Sequence, residues 1–247
     1  MKISIILLAY IISDELYELT GNTLASFVSS EGIGDTELII VDNASQIGGD
    51  QLSTNCDTYV RNKANLGYPK AINQGIRLAS GDLVAIANND IRVSPNWVNV
   101  TKEVFTRLPK AGSLHFRMVG YNEPFNLGDG VWDKGRELWC HGSFFVWRRK
   151  AFEKLKGPMD EGYGLGGYDD YDWQLRMRQR GFETIYTNAA GFQHKDSSTL
   201  SKLDQTERSE RDEKNREYFK SKHSEYPDVM WKKKYPKQFE RNWKPFP

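Results

Sequence analysis

The feature that most constrains this chain is the alternation of short apolar runs with helical patterns over its first ninety residues. Largely apolar runs, rich in β-branched side chains, occupy residues 3–9, 37–41 and 83–87, and each is too short for most helices. Between them, residues 15–28 and 69–79 carry apolar side chains at helical spacing. This order predicts an α/β fold in which a mostly parallel, Rossmann-like sheet is flanked by helices.

Polar residues follow these apolar runs at once. Tyr10 follows the first run, Asp42 the second, and Asn88, Asn89 and Asp90 the third. Because the carboxyl ends of parallel strands share one edge of a sheet, where α/β proteins bind ligands, we expect these side chains to lie together. Aspartate binds divalent cations, and asparagine amides hydrogen-bond sugars or phosphates. The alternative is that each strand ends in an ordinary turn, in which Asn and Asp are common.

Composition narrows the class of protein. The chain has 247 residues, of which 38% are hydrophobic and 27% charged, which suits one substantial core. Its net charge of +1 gives no global field that would favour nucleic acid or a membrane surface. Cys56 and Cys140 have neither metal-ligand nor disulfide-framework spacing. The apolar stretch at residues 3–12 has about half the length of a membrane span, so we expect a cytoplasmic protein.

Beyond residue 95 the pattern is less regular. We predict a helix to about residue 108, an irregular stretch to residue 136, a buried strand over residues 138–147 and a short strand over residues 184–187. The glycines and aromatic side chains of the irregular stretch suit either ordinary packing or a substrate-facing loop.

The C-terminal part of the chain differs in composition from the rest. We predict a main domain over residues 1–199 and a helical, basic and aromatic extension over residues 200–247. Residues 201–226 mix charges of both signs with few apolar side chains, which is typical of a solvated helix. Residues 231–247 interleave basic and aromatic side chains. This arm either wraps onto the core or forms a patch for an anionic acceptor or a membrane surface.

A second polar cluster precedes a predicted helix. Asp169, Asp170 and Asp172 lie just before or within its first turn, where the helix dipole and free N–H groups stabilise carboxylates. The same setting suits a general base, because an ionised carboxylate can accept the proton of a hydroxyl group. The pattern G-x-G-x-x-G at residues 162–167 follows no apolar strand, so it predicts a hinge beside these carboxylates and not a dinucleotide site.

Three segments together resemble family 2 glycosyltransferases, which have the GT-A fold. They are residues 37–45 (ELIIVDNAS), 65–76 (NLGYPKAINQGI) and 79–90 (ASGDLVAIANND). The resemblance implies a site for a nucleoside diphosphate sugar, with Asp42 at the nucleobase end and residues 88–90 at the position of the family's DXD motif. An asparagine replaces the first aspartate of that motif, as in the rhamnosyltransferase-like branch. The implied donor-binding residues are Tyr10, Asp42, Asn65, Lys70, Asn73, Asn88, Asn89, Asp90 and Gly142.

The resemblance also implies catalytic and metal-binding roles. Residues 169–173 are similar to the family's acidic motif, whose acidic pair maps onto Asp169 and Asp170 and whose base maps onto Asp170. His194 begins a segment like the family's H-x-x-S/G-x-S/T ending and would complete a metal site with Asp90. Imidazole with oxygen ligands suits Mn²⁺, whereas Mg²⁺ prefers oxygen alone. Further candidates, for the diphosphate, are Lys195, Ser198 and Thr199.

These roles imply an inverting glycosyltransferase that depends on Mn²⁺ or Mg²⁺ and acts in glycan or polysaccharide synthesis. The expected donor is a UDP- or dTDP-sugar, and the acceptor is a hydroxyl of a glycan, a lipid-linked glycan or another compound. Two alternatives remain. A nucleotidyltransferase would need a basic, glycine-rich loop after the first strand, which residues 10–13 do not provide. A non-catalytic module would bind a nucleotide or glycan without turnover. Neither the sugar nor the oligomeric state follows from the sequence.

Overall fold

Nine strands and seven α-helices occur in the part of the chain that the structure describes, and strands alternate with helices up to β4. This computed structural model describes residues 1–133, 142–155, 157–195 and 205–224. The strands are β1 (Ile3–Ala9), β2 (Thr36–Asp42), β3 (Thr58–Arg61), β4 (Leu83–Asn88), β5 (Ile91–Val93), β6 (Ala111–Gly120), β7 (Val131–Asp133), β8 (Phe144–Arg148) and β9 (Glu183–His194). The helices are α1 (Asp14–Val28), α2 (Gly49–Ser53), α3 (Tyr68–Leu78), α4 (Trp97–Arg107), α5 (Arg149–Phe152), α6 (Asp169–Gln179) and α7 (Gln205–Lys222).

The first four strands form the parallel part of the sheet, in the order β3-β2-β1-β4. β1 pairs in parallel with both β2 and β4, so Ala9 lies opposite Asp42 and Leu8 opposite Asn88. The first five residues of β4 are all buried, as expected for a strand that is covered on both faces. The predicted α/β alternation is therefore confirmed, and the carboxyl ends of these strands share one edge.

Local signals explain where the first helices begin. Ser13 precedes α1, and its Oγ accepts a hydrogen bond from the Leu16 N–H at 3.4 Å. Asp14 and Glu15 in the first turn of α1 lie at the positive end of the helix dipole. Pro69 lies in the first turn of α3, where its missing N–H and fixed φ suit a helix start.

β8 runs antiparallel to β4 and continues the sheet into a mixed part with the order β8-β6-β9-β5, while β7 pairs with β9. Two predictions for this part were wrong. The stretch predicted to be irregular contains β6, at residues 111–120. Its apolar pattern is interrupted by Ser113 and His115, which are nevertheless buried at 0% and 2% exposure. β9 does not end at residue 187, because its second half pairs with β5 and β6. Of the strand predicted over residues 138–147, the first four lie outside the described residues.

Apolar side chains pack on both faces of the sheet. On the face covered by α1 and α4, Trp97 meets Phe27 and Phe144 edge to face, at ring-centroid distances of 5.7 and 5.4 Å. On the face covered by α3, α5 and α6, Trp147 meets Trp173 edge to face at 4.6 Å. Burial of one such large side chain contributes about 2 kcal/mol to stability. The core is therefore three-layered, with the sheet in the middle.

α7 packs against α6 and the loop that precedes it. Phe219 is 3% exposed, and its ring lies 6.2 Å from that of Tyr168. The domain boundary predicted at residue 199 falls within residues 196–204, which are not described, and it stays a prediction. The basic arm at residues 231–247 also lies outside the described residues. Among the helices that are described, none combines the length and the apolar composition needed to cross a bilayer.

Candidate active site

The structure brings the polar strand ends together at one edge of the sheet. Tyr10 directly follows β1, Asp42 ends β2, and Asn88 ends β4. The pairing of β1 with both neighbouring strands places these residues at the same level. The Asn88 N–H also donates to the carbonyl of Ser143, the residue before β8, at 2.9 Å. We call this place, defined by Tyr10, Asp42 and Asn88, the strand-end edge.

Asp42 is fully buried and accepts three hydrogen bonds. Its Oδ1 accepts from the Ser45 N–H at 2.7 Å. Its Oδ2 accepts from the Tyr59 hydroxyl at 2.6 Å and from Arg61 Nη1 at 3.1 Å. Arg61 lies opposite Asp42 in the pairing of β2 with β3, and its side chain is 48% exposed. A ligand at this end of the edge would therefore reach Arg61 more readily than the carboxylate behind it.

Side-chain amides organise the loop between β3 and α3. Asn43 Nδ2 donates to Asn65 Oδ1 at 2.8 Å, and Asn43 Oδ1 accepts from the Leu66 N–H at 3.0 Å. Asn65 Oδ1 also accepts from the Gly67 N–H at 2.9 Å. Since Asn43 is the neighbour of Asp42, these bonds fix the loop beside the strand-end edge.

The two predicted donor residues on α3 differ in their surroundings. Lys70 is exposed in the first turn. Asn73 is 6% exposed, and its Nδ2 donates to the Met159 carbonyl at 3.0 Å and to Glu161 Oε1 at 3.0 Å. The Met159 N–H in turn donates to Asn73 Oδ1 at 3.1 Å. The Asn73 amide thus joins α3 to the segment before α6, and its contact with a donor stays a prediction.

The three residues of the DXD-like segment also differ. Asn88 is partly exposed at the strand-end edge. Asn89 is 6% exposed, and its Nδ2 donates to Thr20 Oγ1 of α1 at 2.9 Å. Asp90 is 6% exposed and lies beside His194. The Asn89 side chain therefore fixes the turn after β4 against α1. Its two neighbours face different places, Asn88 the strand-end edge and Asp90 the His194 ring.

Asp90 and His194 form the candidate metal site. His194 Nε2 lies 3.3 Å from Asp90 Oδ1, and the pairing of Ile91 with His194 in β5 and β9 creates this contact. On its other side the ring contacts Ser143, with 3.5 Å between Nδ1 and Oγ. A carboxylate and an imidazole fit a cation such as Mn²⁺ that takes its other ligands from a diphosphate. Within the described residues, no group of three or more His, Cys, Asp or Glu side chains forms a complete metal site.

The residues just before β8 join the strand-end edge to the acidic cluster. The Gly142 carbonyl accepts a hydrogen bond from the Tyr68 hydroxyl at 2.7 Å. A methyl group placed on Gly142 would lie 3.6 Å from Asp170 Oδ2. The next residue, Ser143, contacts His194. Two consecutive residues thus adjoin the predicted base on one side and the candidate metal site on the other.

Asp172 is an anchor between helices. It is fully buried, Arg176 Nε donates to its Oδ2 at 2.7 Å, and His223 Nε2 lies 2.9 Å from its Oδ1. Lys222 forms an ion pair with the same carboxylate. Burial alone would raise the pKa of Asp172, but the contact with His223 and the charges of Arg176 and Lys222 outweigh it and lower the pKa to about 2. A carboxylate so enclosed and so acidic is a poor proton acceptor.

Asp169 and Asp170 have a different environment at the start of the same helix. Asp169 is 4% exposed, and its Oδ1 accepts from the Gly167 N–H at 2.7 Å. Asp170 is partly exposed, with its Oδ2 towards Gly142. Burial raises the pKa of Asp170, and the adjacent Asp169 charge raises it further. A carboxylate with a raised pKa accepts a proton more readily than an ordinary one, so Asp170 is the member of the acidic cluster suited to act as a base.

The pattern at residues 162–167, which we call the glycine loop, is held between α3 and α7. A Cβ on Gly67, just before α3, would lie 2.1 Å from the Gly164 carbonyl oxygen. From α7, Asn215 Nδ2 lies within hydrogen-bonding distance of three carbonyl oxygens of the loop, those of Tyr163, Gly166 and Gly167, which share its two hydrogens. The loop therefore has close contacts on both sides, and the predicted hinge role stays a prediction.

Sequence reasoning missed several residues near the site. Arg61 ends β3, and its ion pair with Asp42 becomes evident only when β3 is paired with β2. Ser143 gave no signal apart from its place in a predicted strand, and Asn215 gave none. Lys195 is exposed with its Nζ 3.9 Å from Glu15, while Ser198 and Thr199 lie outside the described residues.

The sequence model of Glycosyl transferase family 2 matches residues 4–156. No match was found among curated proteins.

Two solved structures illustrate the similarity in fold. Residues 1–349 of TarS from S. aureus, in complex with UDP-GlcNAc, give a TM-score of 0.67 at 12% identity, over 83% of this chain and 62% of that one. GalNAc-T7 with UDP, GalNAc and Mn²⁺ gives a TM-score of 0.65 at 15% identity, over 78% of this chain and 44% of that one. The chain thus spans less than two thirds of either protein, and at these identities the likeness concerns the fold.

Proposed function

The chain belongs to glycosyltransferase family 2 and has the GT-A fold, and from this premise we propose that it transfers a sugar from a nucleoside diphosphate sugar to an acceptor hydroxyl. The observation that carries the proposal is the position of Gly142 and Ser143, which adjoin Asp170 on one side and His194 on the other. Transfer from a diphosphate needs a base for the acceptor close to a group that stabilises the departing charge. Residues of both kinds adjoin this one point.

The donor would lie along the strand-end edge. Ligands of open α/β sheets bind outside the carboxyl ends of the strands, and Tyr10, Asp42 and Asn88 occupy those ends here. Arg61 and the amide-rich loop at Asn65 border the same place. A UDP-sugar is the first choice, because the TarS and GalNAc-T7 structures contain UDP-GlcNAc and UDP, and a dTDP-sugar is the second.

In the proposed reaction Asp170 accepts the proton of the acceptor hydroxyl. The hydroxyl oxygen attacks the anomeric carbon from the face opposite the diphosphate, and the bond from that carbon to the diphosphate oxygen breaks. A single displacement of this kind inverts the anomeric configuration. Burial raises the pKa of Asp170, and the charge of the neighbouring Asp169 carboxylate raises it further. Tyr68 donates to the Gly142 carbonyl and so holds the backbone that faces the base.

Asp90 and His194 would hold a divalent cation in this scheme. When bound, the cation neutralises negative charge that develops on the departing diphosphate. Mn²⁺ is preferred to Mg²⁺ because one of the two ligands is an imidazole. The structure of GalNAc-T7 with Mn²⁺ supports the same choice. Ser143 contacts the His194 ring and orients it towards Asp90.

A thermal-shift screen with UDP-, dTDP- and GDP-sugars, each with Mn²⁺ and with EDTA, tests the donor site. A ligand that binds only the folded state at about 100 times its Kd stabilises that state by about 2.7 kcal/mol, which is easily measured as a rise in Tm. We expect a UDP- or dTDP-sugar to raise the Tm in Mn²⁺ and to have little effect in EDTA. No shift with any donor would contradict the proposal.

Turnover is tested by release of free nucleotide from the best donor in the presence of glycan and lipid-linked glycan acceptors. We expect release that depends on the acceptor, together with a product of inverted anomeric configuration. A protein that binds the donor but releases no nucleotide with any acceptor would be a binding module. The proposed acceptor, a hydroxyl of a glycan or lipid-linked glycan, is identified by the same assay.

A further inference from the structure

We propose that Asn215 of α7 is a positioning residue for the transfer reaction, which sets the place of Asp170 by holding the glycine loop in front of it. The inference rests on the proposed function, in which Asp170 is the base. Asn215 lies beyond residues 4–156, the part of the chain that the family model matches.

The side-chain hydrogen bonds that Asn215 makes to described residues are directed at the glycine loop. The residue is 3% exposed, and its Nδ2 lies 3.0 Å from the carbonyl oxygens of Tyr163 and Gly166 and 3.1 Å from that of Gly167. A buried carbonyl that loses its donor is destabilised, so the amide favours this one arrangement of the loop. Because its side chain is buried against the loop, Asn215 acts through the loop and not by touching substrate.

Gly167 connects Asn215 to the first of the two carboxylates. Gly167 accepts from Asn215 through its carbonyl and donates through its N–H to Asp169 Oδ1 at 2.7 Å. Tyr168 follows with a φ of 71°, a left-handed conformation that is unfavourable for a residue with a side chain. Such a conformation persists only where its surroundings hold it. Two contacts from α7 stabilise this conformation. Asn215 donates to the carbonyl of Gly167, the residue before Tyr168, and the Phe219 ring lies 6.2 Å from the Tyr168 ring.

A separate group of contacts anchors α7 itself. Lys222 and His223, at the end of α7, contact the buried Asp172 of α6. Lys222 also pairs with Asp160, which lies before the glycine loop. These contacts do not involve Asn215. Removing the Asn215 amide should therefore release the loop while α7 stays docked on α6.

The first test is hydrogen exchange of the peptide that spans residues 160–171. Asn215→Ala should raise its exchange rate by about tenfold or more, because the loop loses its donor and opens locally. Glu217→Gln is the matched control on α7, since Glu217 is 59% exposed and pairs only with surface residues in the contacts described. We expect that control to exchange like the wild type. An unchanged rate in Asn215→Ala would overturn the proposal, whatever the enzymatic activity.

The second test separates positioning from packing by steady-state kinetics on the folded protein. Asn215→Ala should lower kcat by about tenfold or more, since small displacements of a catalytic group are costly, while the donor KM stays within about twofold. Asn215→Asp has nearly the same shape, and its ionised carboxylate cannot donate to a carbonyl, so it should lose at least as much kcat as Asn215→Ala. A role in filling space predicts the reverse order, with Asn215→Asp close to the wild type.

Other kinetic results would also contradict a positioning role for Asn215. Wild-type kcat in Asn215→Ala would overturn the positioning role. If Asn215→Asp does not fold, Asn215→Gln replaces it, because glutamine keeps an amide donor and should recover part of the lost kcat. Equal kcat in Asn215→Gln and Asn215→Ala would then overturn the proposal. A wild type without turnover would contradict the proposed function instead, and hydrogen exchange would still decide whether Asn215 holds the loop.

Discussion

At the strand-end edge, Asp42 and Asn88 owe their positions to strand pairing, whereas Asp169 and Asp170 follow a loop that is held by a side chain 48 residues further along the chain. Strand pairing rests on many backbone hydrogen bonds, so no single side chain controls it. The conformation of the glycine loop depends on contacts from a few side chains, and a single substitution can remove any one of these contacts. Substitutions in α7 or in the glycine loop should therefore leave the strand-end edge intact but disturb the positions of Asp169 and Asp170.

The largest expected effect separates catalysis from donor binding. Asp170→Asn should lower kcat by about 1000-fold, because the amide cannot accept the acceptor's proton. The rise in Tm caused by the donor should remain, since the strand-end edge is unchanged. Both quantities are measured on the same preparation. Turnover at the wild-type rate would rule out Asp170 as the base.

The next effect concerns the anchor of α7 and not the reaction. Asp172→Asn should destabilise the protein by about 3 kcal/mol in urea unfolding, because Arg176 and Lys222 then face a neutral amide in a buried place. The control is Glu217→Gln on the exposed side of α7, which should change stability by less than about 0.5 kcal/mol. Equal effects of the two substitutions would show that the buried group does not anchor α7.

The same anchor predicts a pH dependence of stability. The pKa of Asp172 is lowered to about 2 in the folded protein, while an unfolded aspartate has a pKa of about 3.9. The unfolded chain therefore takes up this proton first as the pH falls. The contribution of Asp172, between about 2 and 3 kcal/mol, is fully present above about pH 5 and is lost as the pH falls towards 2. Urea unfolding between pH 5 and 3 should show a smaller loss of stability in Asp172→Asn than in the wild type.

A smaller effect tests the donor half. Asp90→Asn should weaken Mn²⁺ binding by about tenfold or more, since it removes the charged ligand of the pair with His194. The measurement is the Mn²⁺ concentration that gives half of the donor-dependent rise in Tm. Glu103→Gln on α4 is the matched control, because it removes an exposed carboxylate outside the proposed site. A Mn²⁺ requirement that is equal in both variants would place the cation elsewhere.

The smallest effect is a shift in the pH profile of activity. Asp170 must be ionised to act as a base, so kcat falls as the pH drops through its pKa. Burial and the Asp169 charge raise that pKa. Asp169→Asn removes the charge but keeps an oxygen for the Gly167 N–H, so the acidic limb should move to lower pH by about one unit. A limb that stays in place, or moves to higher pH, would contradict the assignment of Asp170.

The parallel half of the fold could be predicted because its signals are local. The run that ends at Ala87 is apolar throughout and is followed at once by polar residues, which indicates a buried strand with a functional end. Asp90 and His194 could be paired only through the family resemblance, since 104 residues separate them, and the structure then placed them 3.3 Å apart.

The other half depends on contacts that leave no local pattern. β6 was missed because Ser113 and His115 look like exposed positions in the sequence but are buried in the sheet. Asn73 looks like a donor ligand, yet its amide is engaged with a backbone 86 residues away. Asn215 stands among charged neighbours on a polar helix, so nothing in its surroundings distinguishes it from a solvent-exposed residue.

The close approach of Gly67 to the Gly164 carbonyl has a consequence for redesign of the enzyme. Any side chain at position 67 would push against the backbone of the glycine loop, and the loop leads directly to Asp170. The segment beside the proposed donor site and the loop beside the proposed base are therefore one steric unit. Directed evolution towards a new donor should recover changes in both segments together, and libraries that vary only residues 65–68 should yield proteins that bind the new donor but transfer its sugar slowly.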